Sequence, residues 1–189
     1  MKIICLGDSI TAPFTLPPDR MWVSLLDRET GDEWINAGIC GDTTGGMLVR
    51  LHADVFPARP DAVFLMGGGN DMLLTGSFEQ PKLNMMALVH ECVARGIRPV
   101  LGIAPVITGV PEPWRPVTRW EEAPAVSEAY AAWLRVFART FGLRAVDFAA
   151  AFAAHAGERL YQPDGLHPNA AGNRLMADTV LQSPYFRYR

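Results

Sequence analysis

Ser9, Asp164 and His167 are the residue types from which a hydrolytic nucleophile is built. Ser9 stands in Gly7-Asp8-Ser9-Ile10, and His167 in Asp164-Gly165-Leu166-His167-Pro168. A serine hydroxyl is a poor nucleophile until a base removes its proton in the transition state, and Nε2 of His167 could do that. Asp164 precedes the histidine closely enough to reach Nδ1 of the same ring across one turn. There it would fix the tautomer and stabilise the imidazolium. A developing oxyanion also needs two or three preorganised donors. The backbone N–H groups of Ser9 and Gly41 and the side-chain amide of Asn70 are the candidates. Together these residues make the inventory of an acyl-transfer site.

The elements that must position them follow from hydrophobic pattern and turn chemistry. Lys2-Ile3-Ile4-Cys5-Leu6 is a short apolar run that reads as a buried strand, and Gly7 breaks it just before Ser9. Trp34 to Ala37 reads as a second strand, ending in a Gly41-bearing loop over Gly38 to Thr44 with an N-cap signal, followed by a helix through about Val55. Ala62 to Met66 is apolar throughout, the mark of a central strand covered on both faces, and it runs into Gly67-Gly68-Gly69-Asn70-Asp71. Pro81 to Arg95 has a helical period through Leu83, Met86, Ala87, Val89 and Val93, with Gly96 after it. Pro99 to Ala104 and Leu143 to Val146 supply a fourth and a fifth strand. Helices are expected over Met21–Glu29, Ala125–Phe141 and Phe148–Ala154, and from the Asn169 cap to about Leu181. Strands alternating with helices give a parallel α/β sandwich, expected as one domain over 1–189. In such a sheet the carboxyl ends of the strands line the ligand crevice, so the Ser9, Gly41 and Asn70 loops should open on one edge.

Four blocks now stand in order along nearly the whole chain: Gly7-Asp8-Ser9-Ile10, Gly41-Asp42-Thr43, Gly68-Gly69-Asn70-Asp71 and Asp164-Gly165-Leu166-His167-Pro168. They resemble the signature blocks of the GDSL, or SGNH, hydrolases, with Ile10 where leucine is usual. In length the chain is most similar to the bacterial esterase, thioesterase I and lysophospholipase members. The resemblance implies a three-layer α/β/α fold of flavodoxin-like type with a five-stranded parallel sheet. It implies Ser9 as nucleophile, Gly41 and Asn70 as oxyanion donors with the Ser9 amide, and Asp164 with His167 completing a triad. The implied substrate is a small acyl ester. Acyl thioesters, lysophospholipids and acetylated sugars are the alternatives within the family.

Other chemistries fit less well. The glycine run at 67–69 could cradle a phosphate, but no Gly-Lys-Ser/Thr follows it and no G-x-G-x-x-G opens a helix. No G-x-S-x-G nucleophile elbow occurs either. Cys5, Cys40 and Cys92 lack metal-ligand spacing, so neither a disulfide framework nor a zinc site is expected. Cys40 beside Gly41 is a rival nucleophile on paper. A metal-dependent hydrolase would draw on Asp8, Asp71, Asp164 and His167, and a catalytically silent binding protein would keep the fold alone. The reading itself calls for no cofactor and no metal.

A net charge of −3 gives no reason to expect a nucleic-acid partner. No apolar run approaches the ~20 residues of a membrane helix, and a cytoplasmic location is the expectation. Pro105 to Pro124 holds no period. It leaves the fourth strand at the same edge as Ser9, and it carries Trp114 and Trp120 among its prolines. Long irregular segments in compact domains are usually functional or disordered, and tryptophan does not suit a merely solvated linker, so both tryptophans are read as substrate-pocket residues. Arg115 and Arg119 beside them either meet an anionic head group or are solvated charges.

Overall fold

The computed structural model describes residues 1–185. Five strands, β1 (Lys2–Gly7), β2 (Glu33–Gly38), β3 (Ala62–Met66), β4 (Arg98–Ile103) and β5 (Arg144–Asp147), form one sheet in the order β2-β1-β3-β4-β5. Every pairing is parallel. Seven α-helices join them: α1 (Trp22–Thr30), α2 (Thr44–Asp54), α3 (Gly69–Thr75), α4 (Glu79–Ala94), α5 (Ala123–Phe141), α6 (Phe148–Ala154) and α7 (Ala170–Gln182). The strand order is the flavodoxin-like one, and its topological switch point lies between β1 and β3.

Side chains alternate across each strand, so each sheet face has its own core. Ile4, Leu6, Val63, Leu65 and Leu101 face α2 to α5 and pack with Met47, Leu51, Met85, Leu88 and Leu134. Ile3, Cys5, Phe64, Met66 and Val100 face α1, α6 and α7. In this second layer Trp22, Phe64 and Phe148 form a triangle with ring centroids 5.2, 5.8 and 5.9 Å apart. Such tilted aromatic pairs add about 0.5–1.5 kcal/mol each beyond the area they bury. The three-layer α/β/α architecture expected from the sequence is present. Among the described residues no helix is long and apolar enough to cross a membrane.

Helix starts follow the capping chemistry. Thr43 accepts from the Gly46 amide at the head of α2, Asp147 from Ala150 at α6, and Asn169 from Ala171 and Gly172 at α7. α5 begins at Ala123 rather than Ala125, because Pro124 sits in the first turn, where a missing N–H costs nothing.

Two expectations differ from the structure. The face of α4 that is buried carries Pro81, Met85, Leu88, Val89 and Cys92, whereas Leu83, Met86 and Val93 are exposed. The helix is apolar on two interleaved stripes, and packing against α2 and the sheet selects one of them. The short helix α3 arises where a glycine run read as loop, since seven residues are too few to show a period.

Candidate active site

Ser9 leaves β1 on a turn whose backbone is bonded from several sides. The Asp8 carbonyl accepts from Thr11 N–H at 3.1 Å and Ala12 N–H at 2.8 Å. An oxygen of the Asp8 carboxyl accepts from Ile10 N–H at 2.9 Å. Below the turn, the buried Trp22 indole donates to the Ile10 carbonyl at 3.0 Å. Asn36 of β2 donates to the Thr11 carbonyl at 2.6 Å. The hydroxyl therefore sits on a backbone held by β1, β2 and α1 together.

His167 arrives from the opposite end of the chain. Its loop is held by an isolated antiparallel bridge between Tyr161 and Pro168 and by the Gln162 N–H, which donates to the His167 carbonyl at 2.8 Å. Ser9 Oγ lies 2.8 Å from His167 Nε2, and His167 Nδ1 lies 2.6 Å from Asp164 Oδ2. The other Asp164 oxygen accepts from the Leu166 and His167 amides at 2.9 and 3.0 Å. Burial pushes the Asp164 carboxyl up. The hydrogen bonds from the His167 ring and the two amides outweigh that and bring it below the ordinary carboxylate value. An ionised Asp164 selects the tautomer with a proton on Nδ1, and that leaves Nε2 free to accept from Ser9. The Phe14 ring covers the imidazole, centroids 4.3 Å apart.

Asn70 lies in the first turn of α3, and its Nδ2 donates to the Asp42 carbonyl at 2.8 Å. That bond uses one of two amide protons and fixes the plane in which the second is presented. Gly68, which caps α3, has φ +116° and a position where an added Cβ would stand 2.8 Å from the Tyr130 ring. Glycine is required there by both conformation and space. Asp71, which follows Asn70, is buried. It accepts from Thr44 N–H at 2.9 Å and Thr44 Oγ at 2.8 Å, latching α3 to the head of α2. Gly41 follows β2 with φ +79°, a left-handed conformation that suits glycine, and lines the same groove as Ser9.

A groove of about 370 Å³ opens over these residues. Ser9, His167, Gly41 and Asn70 contribute its polar lining, and Phe14, Leu73, Leu74, Val110 and Trp114 its apolar lining. Trp114 belongs to a short 3-10 helix, Glu112–Val117, and is 58% exposed at the rim. Trp120 is elsewhere. It packs, half-buried, against the core, with the Arg115 guanidinium 4.8 Å from its ring centroid. Cys40 lines the groove and is exposed; partial burial and then the Asp8 charge hold its thiol above the ordinary value, which disfavours the thiolate. Among the described residues no group of three His, Cys, Asp or Glu side chains could hold a metal ion.

Apart from Trp114 and the segment that carries it, sequence reasoning missed the groove walls. Phe14 sits in a proline-rich loop and Leu73-Leu74 on a helix too short for periodicity, so only their place next to Ser9 and Asn70 in the chain pointed to them.

Residues 5–175 match the GDSL-like lipase/acylhydrolase family. The chain is 29% identical to an esterase, TesA, of Pseudomonas aeruginosa over 94% of this chain and 85% of that one. It is 26% identical to thioesterase 1/protease 1/lysophospholipase L1 of Escherichia coli, over 95% and 81%. Among solved structures it is similar to the psychrotrophic esterase EstA of a Pseudoalteromonas species, with a TM-score of 0.75 and 26% identity over 96% of this chain and 95% of that one.

Ionised Asp8 is costly in this setting. The residue is 3% exposed; burial raises its carboxyl to about 6, the Ile10 amide opposes the rise, and the Asp42 and Asp71 charges add to it. A carboxyl raised on folding contributes stability that is complete below its unfolded value and is lost as pH rises through the folded one. Asp8→Asn, which cannot ionise, should therefore gain thermal midpoint over wild type as pH is raised from about 4 to about 7 and then level off. Melts across that range check it, and a difference that does not vary with pH would contradict it.

Proposed function

The chain belongs to the GDSL-like lipase/acylhydrolase family, and from that premise we propose that it cleaves carboxylic acyl esters through an acyl-enzyme formed on Ser9. It is a carboxylic ester hydrolase by family, and its relatives include esterases. The observation that supports the finer reading is the unbroken hydrogen-bonded chain Ser9 Oγ–His167–Asp164, at 2.8 and 2.6 Å. In this reading Nε2 of His167 takes the hydroxyl proton as Ser9 Oγ bonds to the substrate carbonyl carbon. The oxyanion forms against the amides of Ser9 and Gly41 and the Asn70 side chain. Collapse expels the alcohol, which receives the proton from His167. A water activated by the same nitrogen then releases the acid and frees Ser9.

The apolar walls favour an aliphatic or aromatic group of several carbons over a sugar. A groove of about 370 Å³ falls within the usual range for small-molecule sites. An acyl thioester on the same residues is the second reading, favoured by the name of the Escherichia coli relative. A cytoplasmic location belongs to this proposal as well.

Three measurements test it. A serine-directed organophosphate should label Ser9 and abolish turnover, and Ser9→Ala should resist labelling; retained activity in that variant, or labelling at Cys40, would remove Ser9 from the mechanism. Asn70→Ala should lower kcat by roughly 10²–10³ with little change in KM, because the amide acts once charge has developed. A loss confined to KM would make Asn70 a ground-state contact. Trp114→Ala should alter preference among p-nitrophenyl esters of long or bulky acids while acetate hydrolysis stays within about threefold of wild type, the acetyl group being too small to reach the rim. Equal loss on every ester would assign Trp114 to support of the fold.

A further inference from the structure

Adjoining the groove, and sharing Ser9, Asn70, Leu73 and Leu166 with its lining, lies a second and much smaller cavity of about 30 Å³. Asp8, Ser9 and Asn70 bound it from the sheet edge and α3, and Ser127 and Tyr130 from α5. Tyr130 is 4% exposed, and among the described residues its hydroxyl has no hydrogen-bond partner. Leaving a buried hydroxyl unpaired costs about 1–3 kcal/mol in folded proteins, so such a group ordinarily has a partner. The ring cannot swing out to find one: it packs on Gly68, lies 5.9 Å from the Trp133 ring in a parallel stack, and meets Phe78 at 6.0 Å. Burial, then the Asp71 and Asp8 charges, hold the phenol above its ordinary value, so it remains a neutral donor.

We propose that Tyr130 is a positioning residue for the nucleophile turn, its hydroxyl holding the Asp8 carboxyl through a water bound in this cavity. A buried water needs at least about 10–15 Å³ and two to four polar partners. The cavity meets the first requirement, and Tyr130, Asp8 and the Ser127 hydroxyl meet the second. Ser127 Oγ donates to the Pro124 carbonyl and accepts from Ile107 N–H, which leaves it one lone pair for a further donor. The water accepts from Tyr130 and donates to Asp8 and Ser127. Asp8 is the carboxyl that receives Ile10 N–H, so its orientation sets the slope of the turn on which Ser9 stands. Tyr130 thus acts on the reaction through Asp8 without touching substrate.

The inference rests on Ser9 as nucleophile only for its kinetic consequence. Tyr130→Phe keeps the ring and removes the hydroxyl. With the bridge in place, the substitution strands the water and Asp8. The thermal midpoint should then fall by about 2–6 °C, and exchange of the Ile10 amide proton should quicken several-fold. Turnover of p-nitrophenyl acetate should lose roughly 3- to 10-fold in kcat with KM within about twofold, as expected of a misplaced nucleophile. If the cavity is dry, deleting an unpaired hydroxyl leaves the midpoint unchanged or raises it, and that result overturns the proposal. Unchanged Ile10 exchange overturns it equally. Neither readout depends on which residue attacks the ester, so a failure of the Ser9 assignment shows separately, as retained activity in Ser9→Ala.

Discussion

Everything at the site depends on β1 being paired in parallel on both sides. Gly7 is in register with Gly38 of β2 and with Met66 of β3. Three strands thus end at one level, and the loops that follow them deliver Ser9, Gly41 and Asn70 to the same edge. A slip of one residue would exchange the inward sets Ile3, Cys5 and Ile4, Leu6 between the two cores, so the register is strongly specified. The edge is also the switch point of the sheet, where the connections from β1 and β3 diverge to opposite faces and leave a crevice. The site occupies a gap that the topology creates and no side chain has to carve.

Parallel strand ends also gather charge. Asp8, Asp42 and Asp71 converge at this edge. Arg50 of α2 answers them, with Nε 2.7 Å from Asp42, NH1 2.7 Å from the Ala37 carbonyl and NH2 2.9 Å from the Gly7 carbonyl. One guanidinium fork therefore ties the ends of β1 and β2 to the loop whose Asp42 carbonyl orients Asn70. Both side chains of the Arg50–Asp42 pair are largely buried. Losing one partner of such a pair costs several kcal/mol. Among the described residues Asp71 has no cationic partner, and its two oxygens accept from Thr44 instead.

The loops around the candidate site are braced against one another. Thr108, in the segment after β4, donates from both its amide and its hydroxyl to the Gly165 carbonyl, at 2.9 and 2.7 Å. The Tyr161 hydroxyl donates to the Val106 carbonyl at 2.8 Å. The wall that carries Val110 and Trp114 is thus fastened to the loop that carries Asp164 and His167. Asn173 adds a third tie, accepting from the Trp22 amide and donating to the Pro168 carbonyl.

The amino-acid sequence by itself determined the layer architecture, because strand-length apolar runs and helical periods alternate from end to end. It also singled out Ser9, Asp164 and His167, which the fold joins in one hydrogen-bonded chain, and Gly41 and Asn70, which line the same groove, because each sits in or beside a short glycine-bearing turn. Distance in the chain decided what it could not name. Phe14 over His167, Leu73 and Leu74 along the groove, and Tyr130 on the small cavity it shares with Asp8 are ordinary apolar or aromatic residues whose place appears only when separate elements meet. Trp114 and Trp120, alike in sequence, were parted by the path of one irregular segment: the first reached the groove rim and the second turned into the core. On α4 the apolar pattern offered two faces, and the neighbours α2 and β3 chose between them. Residue types record local constraints, whereas contacts between distant segments are set by the register and crossing of whole elements, which no window of sequence contains.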